Sequence, residues 1–167
     1  MSINVSPTQL RRADFVVNVA EVLAAACVHP SKVIFELVET QPVSPDCHQT
    51  WSALGHLRDL GARVAIDDFG AGYAALSHLR QPVVDILKLD RVFCRDTASS
   101  RSRSLIRSAV VLAEDLGIEL VVEGIEDDTT RDTLIDLGCR TGQGYLFGRP
   151  MPFRQAMANA ELGTTYR

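Results

Sequence analysis

The sequence predicts an α/β fold, a TIM-like (β/α) barrel that is incomplete, with about six of eight strand-helix units present. Three observations carry that expectation. Short runs rich in valine, isoleucine and leucine alternate with helical periodicity along the whole chain, as parallel βαβ units require. Those runs are apolar at successive positions, so both faces of the sheet are covered. Acidic and amide residues stand where the runs end, at Asn4, Glu36, Asp67 with Asp68, Glu123 and Gln143. A barrel gathers its working groups at strand ends all around its rim, whereas an open doubly wound sheet gathers them at one switch point.

Each element follows from local signals. Ser2 to Ser6 reads as the tail of a strand. Ser6-Pro7-Thr8-Gln9 then starts a helix, because Ser6 can cap, Pro7 suits the first helical position and Gln9 completes a capping box. Leu10, Val16, Val19, Val22, Leu23 and Ala26 continue one helical face. A strand from Val33 to Val38 follows, then a helix from Asp46 to Leu60 that carries Trp51, Leu54 and Leu57. The strand Arg63 to Ile66 ends in Asp67-Asp68; a short helix from Ala74 to Leu79 leads to the strand Val84 to Leu89.

Arg95 to Ser104 reads as a loop opening a helix with Leu105, Ile106, Ala109, Leu112 and Leu116. Strand Glu119 to Val122, helix Asp127 to Leu137, strand Gln143 to Phe147 and a helix from Phe153 to Ala160 complete the order. Leu60-Gly61, Leu116-Gly117 and Leu137-Gly138 each close a helix just before a strand, where glycine supplies the left-handed backbone of a helix C-terminus. At 167 residues the chain is a single domain, short of the ~250 residues of a full barrel by about two units.

Composition narrows the function. A net charge of −4 and the lack of a basic run argue against a duplex nucleic-acid binder, which needs a cationic face for phosphates. Cys27, Cys47, Cys94 and Cys139 form no Cys-x-x-Cys pair and follow no secretory signal, so they are expected as reduced, mostly buried thiols in a cytoplasmic protein. No apolar stretch approaches the ~20 residues of a membrane span. His29, His48, His56 and His78 have no ligand spacing and are expected on the surface or on helices.

Strand parity sharpens the constellation. In Ile86-Leu-Lys-Leu-Asp90, Lys88 shares a face with Ile86 and Asp90 and would point into the barrel mouth, while Leu87 and Leu89 meet helices. Glu39 has the opposite parity to Glu36 and serves a different role. Any one acid alone could be a helix cap or half an ion pair; joint placement favours a site. Glu36, Asp67, Asp68 and Glu123 together would carry four negative charges, which two divalent cations would balance. Oxygen ligands, with Asn4 adding a neutral carbonyl, suit magnesium or manganese better than zinc. Two metals ~3.5–4 Å apart suit hydrolysis of a phosphoester. Gly70-Ala-Gly72 is too weak a signal for a phosphate loop and reads as a flexible segment that lets Asp67 and Asp68 reach metal.

Six ordered motifs now bring a family into view. Asn4-Val-Ser-Pro, Glu36-Leu-Val-Glu39, Asp67-Asp-Phe-Gly-Ala-Gly-Tyr73, Leu87-Lys-Leu-Asp90, Val122-Glu-Gly-Ile-Glu126 and Gln143-Gly-Tyr followed by Pro150 resemble the EAL-domain family over nearly the whole chain. The resemblance implies a bacterial phosphodiesterase that opens cyclic di-GMP to linear pGpG with two metals, Mg2+ or Mn2+. Asn4, Glu36 and Asp67 would hold one metal, and Asp67, Asp68 and Glu123 the second. Lys88 would position or help deprotonate the attacking water, and Gln143 would support the hydrated metal site. Glu39 would anchor a mobile loop from Asp68 through Phe69, Gly70 and Gly72 to Tyr73 that couples metal binding to a homodimer. Asp90 and Glu126 would stand behind the ligands, and sensory or GGDEF domains would belong to a longer parent.

The sequence departs from the family pattern in two places. Ala71, Ala74 and Ala75 replace the loop's usual hydroxyl residues. The naming motif, Glu-Ala-Leu-x-Arg, belongs to a strand preceding that of Asn4, and this sequence does not contain it; Glu21-Val-Leu-Ala-Ala25 is only an echo, set in a helix and lacking the arginine. The chain is therefore expected to be a truncated EAL domain without one carboxylate and one arginine of the site. The alternative to an enzyme is an inactive EAL-like module that binds cyclic di-GMP or a protein partner.

Overall fold

A computed structural model of the chain describes residues 1–37, 47–70, 75–152 and 154–156. Six strands form one sheet in sequential order: β1 (Ser2–Val5), β2 (Ile34–Leu37), β3 (Arg63–Phe69), β4 (Ile86–Leu89), β5 (Glu119–Val122) and β6 (Thr141–Gly142). Every neighbouring pair is parallel. Helices stand between them: α1 (Pro7–Leu10), α2 (Phe15–Ala25), α3 (His48–Asp59), α4 (Ala75–His78), α5 (Ser100–Leu116) and α6 (Asp128–Asp136). Sequential order without reversal is the winding of a barrel, so the predicted six-unit α/β architecture stands.

The two sheet faces separate as the parity argument requires. Phe35, Leu37, Val64, Ile66, Leu87 and Leu89 lie in one continuous apolar core with Leu54 and Leu57 of α3 and Ile106 of α5. Ala65 and Ile86 are equally buried but lie outside that core, on the inner face with Glu36 and Lys88. Apolar burial of the outer layer at roughly 25 cal/mol per Å² is what holds the wall together. The inner layer is therefore free to carry charge. Lower in the barrel, Arg63 Nη2 donates to Glu119 Oε2 at 2.7 Å across the wall.

Several elements differ from expectation for identifiable reasons. The first helix is two. Ser6 and Gln9 form the predicted capping box, but α1 ends after Leu10, because Arg11 to Asp14 offer no large apolar side chain and Arg12 pairs with Asp14 at 3.0 Å. Val22 then falls on the exposed side of α2, with Leu23 buried. Ser100 to Ser104 belong to α5 and not to a loop, since Ser99 caps the helix at Ser102. On α5 the packed residues are Ile106, Ala109 and Ala113, while Leu105 and Leu116 are exposed. A 3-10 turn over Arg91–Asp96 was not foreseen.

The Leu-Gly closures hold, with positive φ at Gly61, Gly117 and Gly138. Strand β6 is Thr141–Gly142, so the predicted strand Gln143 to Phe147 is instead a turn beyond the sheet. The strand bounds expected at Ser6, Val33, Ile66 and Val84 shift by a residue or more, and Val38 lies outside the described residues. Of the cysteines, only Cys94 and Cys139 are buried; Cys27 is exposed and Cys47 half-buried. His78 is fully buried against Trp51, with ring centroids 5.2 Å apart.

Candidate active site

Register places the polar residues before any side chain is considered. Asn4 is opposite Glu36, and Glu36 is opposite Ala65, so Asp67 stands one inward position higher on β3. Lys88 is opposite Val121, which puts Glu123 one inward position above it just past β5. Parallel strands with a common parity thus raise Asn4, Glu36, Asp67, Lys88 and Glu123 on one side of the sheet near its C-terminal edge.

Lys88 is the hub. Its ammonium donates to Glu36 Oε2 and to Asp67 Oδ1, each at 2.9 Å, and lies 2.5 Å from Glu123 Oε1. Only 7% of its side chain is exposed. Burial works against the charge, yet the hydrogen bonds to Glu123, Glu36 and Asp67 outweigh it and hold the Lys88 pKa above its ordinary value. All three donors of the ammonium are thereby used. Glu123 shows the reverse balance: burial raises its pKa even though Lys88 pulls it down.

The strand β3 runs on through Asp67, Asp68 and Phe69, farther than the expected stop at Ile66. Its pairing with β4 is irregular between Ile66 and Phe69, and Asp68 has a φ of +56°. Left-handed backbone is costly for a residue with a Cβ, and such bulges re-aim side chains beside working sites. Here the irregularity brings both adjacent carboxyls toward Glu123. The Asp68 pKa is raised by burial, then by the charge of Asp67 and the proximity of Asp90. Behind them, Asp90 accepts from Val92 N at 2.7 Å and caps the 3-10 turn.

The Glu123 loop is held from two sides. The buried thiol of Cys94 donates to the Glu123 carbonyl at 2.9 Å; burial pushes that thiol up to about 12, so it keeps its proton. From the other side Gln143 Nε2 donates to Glu123 Oε1 at 2.6 Å. The Gln143 main chain is itself fixed, its N–H on Val122 O and its carbonyl accepting from Ile125 N.

Oxygens of Asp67, Asp68 and Glu123 lie within 4.8 Å of one another. That spacing, an all-oxygen donor set and raised pKa values at Asp68 and Glu123 fit a hard divalent cation, whose charge would relieve the crowding. The charge balance differs from the sequence expectation. Counting Lys88 with Glu36, Asp67, Asp68 and Glu123 leaves a local charge of −3, not the four negatives first reckoned.

Not every expected residue joins this cluster. Asn4 is exposed and shares with Ile3, Val5, Phe15, Val19 and Val22 the lining of an apolar groove of about 240 Å³ along β1. Glu126 is exposed and lines a polar cleft of about 430 Å³ with Arg91, Glu123, Gln143, Tyr145 and Arg149. Phe69 packs on the core, and Gly70 lies so close to Phe93 that a Cβ would come within 2.4 Å of its ring. Glu39, Gly72 and Tyr73 lie outside the described residues, and only the Asp68 and Phe69 part of the expected loop proves to be strand. Sequence reasoning missed the bond of Cys94 to the Glu123 carbonyl, which no local pattern signals, and Arg149, which stacks over the Tyr145 ring at 4.5 Å.

Comparison with known proteins meets this geometry from outside. The profile of the family described as "EAL domain" matches residues 1–150. The chain is 43% identical over 153 residues to the cyclic di-GMP phosphodiesterase RocR of Pseudomonas aeruginosa, covering 91% of this chain and 39% of RocR. It superposes on the crystal structure of the EAL domain of Mycobacterium smegmatis DcpA with a TM-score of 0.91 at 34% identity, covering 99% of this chain and 74% of that one. The manganese and cyclic di-GMP complex of Klebsiella pneumoniae BlrP1 is similar at 38% identity, with a TM-score of 0.81 over 89% of this chain and 38% of that one. The chain thus spans about two fifths of the length of RocR.

Proposed function

The chain belongs to the EAL-domain family, and from that premise we propose that it forms most of the catalytic face of a phosphodiesterase opening cyclic di-GMP to linear pGpG. The observation that carries the proposal is the Lys88 ammonium bound to Glu36, Asp67 and Glu123 beside the close oxygens of Asp67, Asp68 and Glu123. Two divalent cations, Mg2+ or Mn2+, would supply an activated water and neutralise charge on the phosphoryl oxygens.

In this reading Asn4, Glu36 and Asp67 hold the first cation, and Asp67, Asp68 and Glu123 the second. Lys88 stays an ammonium, so it would orient the attacking water through a donor released from one of its three carboxylates and does not take that water's proton. Gln143 keeps Glu123 turned toward the site. Asp90 holds the chain after β4 through its cap on Val92. Glu39 and the segment through Gly70, Gly72 and Tyr73 retain the loop role that the resemblance implies, and Glu126 a supporting one.

The proposal extends to the rest of the protein. The chain is a single EAL domain, it acts in the cytoplasm, it pairs as a homodimer, and a longer parent joins it to sensory or GGDEF domains. Among the described residues no helix is long and apolar enough to cross a membrane.

The test is hydrolysis of cyclic di-GMP with Mg2+ or Mn2+, with the linear product resolved by chromatography. Asp67→Asn and Lys88→Ala should each abolish turnover, and calcium should inhibit by competition. Unchanged turnover in both variants would sink the mechanism. Tight nucleotide binding without any product would instead identify a binding module.

A further inference from the structure

Three carboxylates proposed as metal ligands share one ammonium. Glu36 Oε2 and Asp67 Oδ1 are each 2.9 Å from Lys88 Nζ, and Glu123 Oε1 is 2.5 Å away. The same Asp67 Oδ1 also accepts from Asp68 N at 3.1 Å, and the same Glu123 Oε1 also accepts from Gln143 Nε2 at 2.6 Å. Ammonium has three donors and no acceptor. In this arrangement each donor is spent on a different carboxylate, and each carboxylate comes from a different strand end.

The side chains of Lys88, Glu36 and Asp67 are 7%, 10% and 14% exposed. Water therefore cannot neutralise these acids as it would on an open surface. Without the ammonium, three largely buried carboxylates would face one another, Asp67 keeping only the neutral Asp68 N–H and Glu123 only the neutral Gln143 amide, with no ion-pair partner among the described residues. One compact cation offsets the repulsion among the carboxylates at the ends of β2, β3 and β5.

We propose that Lys88 is the resident counter-cation of the metal-free site, and that a divalent ion entering the Asp67, Asp68 and Glu123 cluster must displace its ammonium from at least one carboxylate. The inference rests on the metal reading of that cluster. Lys88 then has two opposed effects: it stabilises the metal-free fold and weakens the first binding of metal. A lysine needed only to orient water would show neither. The physical cause of the second effect is plain. An ammonium within a carboxylate's width of a divalent ion repels it strongly in a largely dry site.

The test uses Mn2+ alone, titrated calorimetrically into the whole chain, with thermal unfolding recorded before and after metal. Lys88→Met and Lys88→Gln remove the charge; the glutamine keeps a hydrogen-bond donor in case the methionine variant does not fold. Lys88→Arg keeps the charge. Both neutral variants should bind Mn2+ at least about tenfold more tightly than the parent, melt lower without metal, and gain more in midpoint from metal than the parent does. Lys88→Arg should gain no affinity.

If the parent and both neutral variants bind Mn2+ equally, the displacement is overturned while the metal reading survives. If the arginine variant binds as tightly as the neutral ones, charge is not the cause and the proposal is overturned. If no form binds Mn2+, the metal reading fails and takes this proposal with it.

Discussion

Gly144 follows Gln143 and lies against the chain at Ile125, closer than any side chain could. A Cβ built there would come within 2.1 Å of Ile125 O, 2.3 Å of Ile125 N and 2.6 Å of Ile125 C. These are backbone atoms, and Ile125 is 4% exposed with its side chain in the core, so neither partner can step aside cheaply. Gly144→Ala must lift the turn off Ile125. That separates Ile125 N from Gln143 O, now 3.1 Å, and Leu146 N from Ile125 O, now 3.0 Å.

Overpacking costs about 1–3 kcal/mol, and two strained backbone hydrogen bonds about 1 kcal/mol each. A stiffer unfolded chain returns about 0.4–1 kcal/mol. The net loss is about 3 kcal/mol, which for a chain of this size lowers the thermal midpoint by roughly 6–12 °C. Because Gln143 moves with the turn, its 2.6 Å bond to Glu123 breaks, and turnover in the active protein falls by about tenfold or more. Thermal melts and nucleotide hydrolysis read the two effects. Gly148→Ala is the control, since its Cβ would meet nothing within 4 Å. A Gly144→Ala midpoint equal to that of Gly148→Ala would refute the close-contact reasoning.

Four further outcomes test other parts of the molecule. Leu87→Ala, at a fully buried position on the outer face of β4, should cost about 2–5 kcal/mol in urea unfolding; a loss below about 1 kcal/mol would contradict the assigned packing. Cys27→Gly should raise stability by about 0.5–1 kcal/mol, because Cys27 sits at a φ of +53° just past α2, where a Cβ is penalised; a lower midpoint would count against it. Glu119→Gln removes the partly exposed pair with Arg63 and should change stability by less than about 1 kcal/mol, read in the same melts. Stability should fall as pH rises above about 9. Burial pushes the Cys94 and Cys139 thiols up to about 12 and about 11 from 9.0, so the unfolded chain loses these protons first, and unfolding gains from each step toward those values. Lys88 acts in the same direction: its pairing is intact below the ordinary lysine value of 10.5 and is lost as pH climbs beyond it. A urea midpoint that rises between about pH 8 and about pH 10.5 would contradict the thiol reasoning, and one that rises above about pH 10.5 the Lys88 reasoning as well.

Most of the fold was legible because its signals are local. Alternating apolar runs, Ser6 with Gln9 at a helix start and glycine after each of three helices depend on residues a few positions apart. Strand parity carried the site as well, since a side chain two residues up a strand returns to the same face. That is why Lys88, Glu36, Asp67 and Glu123 could be placed together from the sequence. The errors arise where distant chain decides. Val22 and Leu116 look apolar whichever way they turn, and only the packing of their helices leaves them exposed. The strand expected at Gln143 is a turn because Ile125 bonds Gln143 and Leu146 in place of a neighbouring strand.

By itself the amino-acid order determined the six alternating units, the inward and outward faces of each strand, and the acids that reach the rim. Those follow from backbone periodicity, which every residue carries with it. Only the tertiary structure decided how the acids are balanced. Lys88 lies 52 and 21 residues away from Glu36 and Asp67, and nothing near it in sequence shows that one ammonium would meet three carboxylates. It does so because parallel register sets its strand between those of Asp67 and Glu123, with the strand of Glu36 next beyond, and because charges buried in that wall must find a partner within hydrogen-bonding reach.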